Sequence, residues 1–239
     1  MTIPRRTILA GLFTAPAFAQ GLSEEQRGEV LAILRRALRE DPSILREALA
    51  AMDAAEENIR AEAQRSAIRA NADALLRAEG DPVRGNPQGR RTVVEFFDAR
   101  CGYCKTLHPT MEELLRRNRD IRLVLKDLPI LGPNSVLASR ALLAAQRQGR
   151  YAQLYDALMR LREDAVEPVI RREAERVGLE WQRLRREMDE PAITRRIDAN
   201  IALARALNIQ GTPALVIGDT IIPGAVDLAQ LEAAVAAIR

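Results

Sequence analysis

The period of the apolar positions changes several times along the chain, and each change marks an element. From Ser23 to about Arg39 the spacing of Val30, Leu34 and Leu38 predicts a helix, and Ser23 with Gln26 forms a capping-box pair at its start. Asp41-Pro42 ends that helix and begins another, with Asp41 as N-cap and Pro42 in the first helical position. No Gly or Pro interrupts the stretch from Pro42 to Gly80, which allows a helix of about 35 residues, on the order of 50 Å long. Leu45, Leu49, Met52 and Ile59 follow a heptad seam. Beyond Ile59 the same register falls on Ala63, Ser66 and Ala70, while Ile68, Leu75 and Leu76 lie off it. Such a helix is either an interchain stalk or an element folded back on its own domain, and its length favours the stalk.

Gly80-Asp81-Pro82 and Gly85-Asn86-Pro87-Gln88-Gly89 break the pattern and place a domain boundary near Arg84. An apolar, β-favouring run from Arg91 to Phe97 follows, then a helical stretch carrying Pro109, then a strand from Ile121 to Lys126. Between 134 and 208 only helical patterns occur: Ser135 to Gln148, Tyr151 to Arg162, Glu167 to Val177, Glu180 to Met188 and Ile193 to Leu207. Ala214 to Asp219 reads as strand and turn, Thr220-Ile221-Ile222 as its hairpin partner, and Leu228 to Ile238 as a closing helix. The architecture expected is a helical arm over 20–84, then an α/β domain over 85–239 interrupted by an all-helical insertion at about 134–208.

Composition narrows the function. Hydrophobic residues make up 47% and charged residues 29% of the 239 residues, enough to bury a core. Thirty-six basic against 33 acidic residues leave a net charge of +3, with the two signs interleaved, so no nucleic-acid partner is expected. Met1 to Arg6 form a basic segment, Thr7 to Phe18 a short apolar one, and Ala17-Phe18-Ala19 a small-x-small cleavage site. These are the parts of a signal peptide over 1–19, with Gln20 as the mature start and the periplasm as destination.

The chemistry concentrates where the first strand hands over to its helix, in Val93-Val94-Glu95-Phe96-Phe97-Asp98-Ala99-Arg100-Cys101-Gly102-Tyr103-Cys104-Lys105. Cys101 and Cys104 are the only cysteines, and C-x-x-C delivered by a strand to a helix N-terminus is the layout of a thioredoxin-like redox site. Unpaired N–H groups and the helix dipole favour negative charge there, so the Cys101 sulfur is expected to ionise below the ~8.5 of a free thiol. Arg100 and Lys105 are expected to add positive charge. Cys104, one turn further in, is placed to resolve a mixed disulfide or close the intramolecular one. Zinc wants four ligands, and His108 is the only other Cys or His in the chain. A purely structural disulfide would close too small a loop to add much stability. No metal and no cofactor is expected beyond the redox-active Cys101–Cys104 pair.

With Cys101-Gly102-Tyr103-Cys104 and Gly211-Thr212-Pro213 both present, residues 86–239 resemble a DsbA-family thioredoxin-fold protein. The resemblance implies a cis Pro213, a Thr212 that pairs its backbone with substrate, and a Glu95 that assists proton transfer to the inner cysteine. Glu95 interrupts an otherwise apolar strand, which favours a buried acid over the alternative of an edge-facing, solvated one. Gly85-Asn86-Pro87, Val94 to Asp98 and Asp127 to Gly132, preceded by a helical region, are similar to the copper-sensitivity suppressor (ScsC-like) branch. There, N-terminal helices trimerise some members. This chain departs from the strong oxidases in its Gly-Tyr dipeptide and in Ala99-Arg100 before the first cysteine.

The function expected is an exported thiol–disulfide oxidoreductase, an isomerase or reductase in preference to a DsbA-type oxidase. Gly102, Tyr103, Thr212 and Pro213 would form the substrate surface. Its partners would be unfolded or misoxidised exported proteins, a membrane redox partner and, through the helical arm, further copies of itself. A copper(I)-binding or chaperone protein using Cys101, Cys104 and His108 is the alternative from another class.

Overall fold

The computed structural model describes residues 23–238, so the predicted signal peptide lies outside the described residues. The chain divides into two compact units, Met1–Asn58 and Ile59–Arg239. In the first, α1 (Glu24–Glu40) starts with the expected capping box: the Ser23 and Gln26 backbone N–H groups each donate to the other's side chain. Helix α2 (Ser43–Ala70) begins here and runs into the second unit. Val30, Leu31, Ile33 and Leu34 on α1 and Leu45, Leu49 and Met52 on α2 are all exposed, so this unit carries apolar side chains without burying them.

The second unit starts inside α2, and not near Arg84. Helix α2 stops at Ala70, short of Gly80, where the Asn71 side-chain amide donates to the Ala67 carbonyl at 2.8 Å. The chain turns there and resumes as α3 (Ala72–Leu76). That turn lets Ile68 and Leu75, two of the three residues off the heptad seam, reach the core, with Leu76 packed partly buried against it. Lys126 then ties the region down: its buried ammonium donates to the Ala74 carbonyl at 2.6 Å and pairs with Asp81 at 2.5 Å. A segment read as arm and linker is therefore part of the domain. It also contains a strand that its Gly/Pro punctuation hid, β1 (Val83–Gly85).

The sheet has the order β1-β3-β2-β4-β5. Strands β2 (Arg91–Phe97) and β3 (Ile121–Asp127) are parallel, joined by α4 (Gly102–Arg117), while β1, β4 (Ala214–Ile217) and β5 (Thr220–Pro223) pair antiparallel with their neighbours. The insertion between β3 and β4 is all helix, as expected: α5 (Pro133–Arg147), α6 (Tyr151–Met159), α7 (Glu167–Arg176), α8 (Trp181–Met188) and α9 (Pro191–Ala206). Helix α10 (Leu228–Ala236) closes the domain. Alternation along β2 divides the core in two. Val93 and Phe97 face the cluster that includes residues of α4, α10 and the insertion, whereas Val94 and Phe96 face Ile68, Leu75 and the end of α9.

Candidate active site

Strand β2 ends at Phe97 and the next residue, Asp98, builds the turn. One carboxylate oxygen accepts from Arg100 N–H at 2.8 Å, and the other from Ile130 and Leu131 N–H at 2.9 and 3.1 Å. The Asp98 carbonyl accepts from Cys101 N–H at 2.9 Å. One buried side chain thus fastens the Cys101 turn to the loop after β3. Sequence reasoning passed over it, although an aspartate two residues before a backbone donor is an Asx-turn signal. Asp98→Ala should lower stability by about 2–4 kcal/mol, since three N–H groups lose their acceptor. Asp98→Asn, which keeps one acceptor oxygen, should lose less; urea unfolding midpoints check both.

Cys101 is the N-cap residue of α4, and Cys104 lies in its first turn. The two thiols are unpaired and differ in access: Cys101 is 8% exposed and Cys104 fully buried. Burial pushes the Cys104 thiol far up, and the neighbouring Glu95 carboxylate adds to the effect. Gly102 has no neighbour near its Cβ direction, and Tyr103 is 72% exposed, so the dipeptide lies on the surface. Across from it the Thr212–Pro213 peptide is cis, and the Cys101 thiol donates to the Thr212 carbonyl at 3.2 Å. Cys101, Thr212 and Pro213, distant in sequence, meet at one point.

Beneath them lies Glu95. It is fully buried, which removes the solvated alternative, and burial raises its carboxyl from 4.5 to about 7. Its nearest polar partner is the Tyr155 hydroxyl on α6, at 3.5 Å. Arg84 stacks over the Tyr155 ring at 5.2 Å while pairing with Asp156 at 2.6 Å and Glu112 at 3.0 Å. A second buried acid, Asp127 on β3, is also raised to about 7 by burial and accepts from the Tyr151 hydroxyl at 3.2 Å. Tyr155, Arg84 and Asp127 come from separate elements, and nothing local in the sequence groups them.

Two expectations change. Arg100 and Lys105 are not free beside the sulfur: the segment before α7 holds both, Arg100 pairing with Asp164 at 2.5 Å and the Lys105 ammonium donating to the Leu161 carbonyl at 2.9 Å, although the Lys105 charge still acts on Cys101. Nor do Cys101, Cys104 and His108 assemble as a ligand set. Among the described residues the side chains whose ligand atoms gather, within 4.8 Å of one another, are His108, Glu112 and Asp156. Arg84 already pairs with both carboxylates of that group. Burial lowers His108 to about 4, so its imidazole is neutral.

Comparison with known proteins agrees with this geometry. Residues 92–236 match the family described as DSBA-like thioredoxin domain. A thioredoxin-like oxidoreductase from Silicibacter pomeroyi is 41% identical, covering 69% of this chain and 95% of that one, with a TM-score of 0.67. Proteus mirabilis ScsC in a transitional conformation is 32% identical over 90% of this chain and 95% of its own, also at TM-score 0.67. The curated protein "Na(+)/H(+) antiporter NhaA 3" of Salinispora tropica is 30% identical over 65% of this chain but only 24% of its own length. This chain therefore spans about a quarter of the curated relative it matches. With the strand-led C-x-x-C, the cis proline beside it and the helical insertion all in place, the chain belongs to the DsbA-like thioredoxin-domain family.

Proposed function

We propose that the protein is an exported thiol–disulfide oxidoreductase acting on protein disulfides, with isomerisation as its main reaction. The observation that carries this reading is the pairing of a reachable Cys101 on a helix N-terminus with a buried Cys104 above a buried acid. Cys101, as thiolate, attacks one sulfur of a substrate disulfide. A mixed disulfide forms and the other substrate sulfur leaves as thiolate. If that thiolate attacks a second substrate disulfide and the rearranged chain finally displaces Cys101, bonds have moved with no net electron transfer. If Cys104 attacks instead, the substrate leaves reduced and Cys101–Cys104 becomes the disulfide. Cys104 must then lose its proton, and Glu95, raised to about 7, is the base positioned to take it.

Isomerisation is favoured over oxidation because it requires the enzyme to hold its substrate. The unburied apolar stripe of α1 and α2 supports a role for the arm in gathering several copies around one client. The periplasm as location and a membrane partner that keeps Cys101–Cys104 reduced belong to the same reading.

The test is reactivation of a scrambled-disulfide enzyme by the reduced chain from Gln20, compared with a chain beginning at Ile59, where the compact unit starts. We expect robust reactivation, several-fold weaker without the arm, together with a smaller mass by sedimentation. Fast oxidation of a reduced substrate with no reactivation would replace isomerase by oxidase.

A further inference from the structure

On the α2 side of the sheet, away from α4, a groove of about 810 Å³ runs from the Thr212–Pro213 loop to the last turns of α2. We propose that this groove is a second docking subsite for the substrate polypeptide, taking the apolar residues that flank its reacting cysteine. Helix α2 is then part of the substrate-binding surface. The inference rests on the oxidoreductase reading above and extends it to a surface on the opposite side of the sheet from the C-x-x-C helix.

Reach comes first. The Cys101 sulfur touches the Thr212 carbonyl at 3.2 Å, and Thr212 lines one end of the groove. A polypeptide whose cystine sulfur meets Cys101 therefore has its flanking residues at the mouth of this groove.

The walls are shaped by missing side chains. Ala63 and Ala67, one helical turn apart on α2, present only methyl groups, and Gly211 presents none. A Cβ at Gly211 would meet nothing within 4 Å, and its φ lies outside the left-handed region. Neither packing nor backbone conformation requires glycine there, but its absent side chain keeps the mouth open. Ile209 and Ile221 supply apolar wall on the other side, and no carboxylate is present among the described residues that line the groove.

The mode of docking follows from Gln64. β5 is an edge strand, the usual template for an added strand. Here its Ile221 N–H already donates to the Gln64 side-chain carbonyl at 3.1 Å. The occupant is thereby directed away from pairing with β5 and toward inserting apolar side chains between α2 and the 206–214 segment.

The experiment compares two disulfide peptides, one with leucines and one with serines flanking the cystine, and glutathione disulfide as a substrate too small to fill the groove. Steady-state kinetics are measured on the chain from Gln20 and on its Ala63→Phe and Gly211→Val variants. The parent chain should prefer the leucine-flanked peptide by about tenfold in kcat/KM, and Ala63→Phe should remove that preference through KM. Its rate on glutathione disulfide should change less than about twofold, which also shows that the variant is folded. Gly211→Val, at the other wall, should erase the same preference. No preference in an active parent chain, or a preference that survives both variants, would overturn the groove. So would a change in the number of associated chains with peptide KM unmoved, because the groove would then be an interface between copies. Inactivity of the parent chain on glutathione disulfide and both peptides would instead overturn the oxidoreductase reading itself.

Discussion

Cys101→Ser abolishes disulfide exchange, lowering turnover by on the order of a thousandfold or more, because a serine hydroxyl is a far weaker nucleophile than a thiolate. Cys104→Ala gives the opposite phenotype. The first attack proceeds, Cys104 cannot resolve it, and clients that do not rearrange and displace Cys101 themselves accumulate as mixed disulfides that a reductant releases. The asymmetry follows from position. Cys101 caps α4 and retains some exposure, whereas Cys104 is fully buried with its thiol pushed far up by desolvation. Non-reducing electrophoresis with mass spectrometry reads both variants: an adduct through Cys101 in Cys104→Ala, and none in Cys101→Ser. Adducts formed through Cys104 in the Cys101→Ser chain would reverse the two roles.

Glu95→Gln slows resolution by roughly a hundredfold, the usual worth of a positioned general base. In the parent chain the resolution rate should rise with pH through about 7, as the Glu95 carboxyl ionises. In the variant that inflection disappears while the first attack is little changed. Tyr155 and Arg84 face Glu95 and favour its charged form, and Glu112 opposes it, but burial is the largest influence. Stability provides an independent readout with a defined sign. The folded chain keeps a proton on Glu95 that the unfolded chain releases above its usual 4.5, so stability is present below that pH and is lost as pH rises through about 7. Glu95→Gln is therefore close to neutral at pH 4 and stabilising at pH 8, by on the order of a few kcal/mol. Asp127→Asn, on the neighbouring strand and likewise raised to about 7, should share the stability effect without the loss of resolution rate. Urea unfolding at both pH values, with stopped-flow measurement of resolution, separates the two acids. A variant as pH-dependent in its resolution rate as the parent would remove Glu95 from the mechanism.

Much of the site was legible because it is local. An apolar strand, a short turn and C-x-x-C at a helix start lie within a dozen consecutive residues, and each preference acts through backbone groups close in the chain. The same holds for the Ser23–Gln26 capping box and the β4–β5 hairpin around Gly218. The domain boundary was misplaced for the complementary reason. The Gly/Pro cluster at 80–89 is a strong local signal, but a boundary is set by which side chains are buried together. Ile68, Leu75 and the buried Lys126–Asp81 pair draw everything from Ile59 onward into the domain.

By itself the sequence determined the C-x-x-C at a helix start, the order of most elements, the helical nature of the insertion and the helical character of the described residues up to Ala70. Period, capping and turn chemistry are properties of neighbouring residues. Only the tertiary structure decided that Glu95 is sealed from water under Tyr155, that Asp98 locks the Cys101 turn to the loop after β3, and that Arg100 and Lys105 are tied to the 161–164 segment. It also decided that the end of α2 walls a groove at Thr212. Each of these depends on groups far apart in sequence meeting in a low-dielectric or close-packed setting. Burial and long-range hydrogen bonding arise only when the chain has closed on itself.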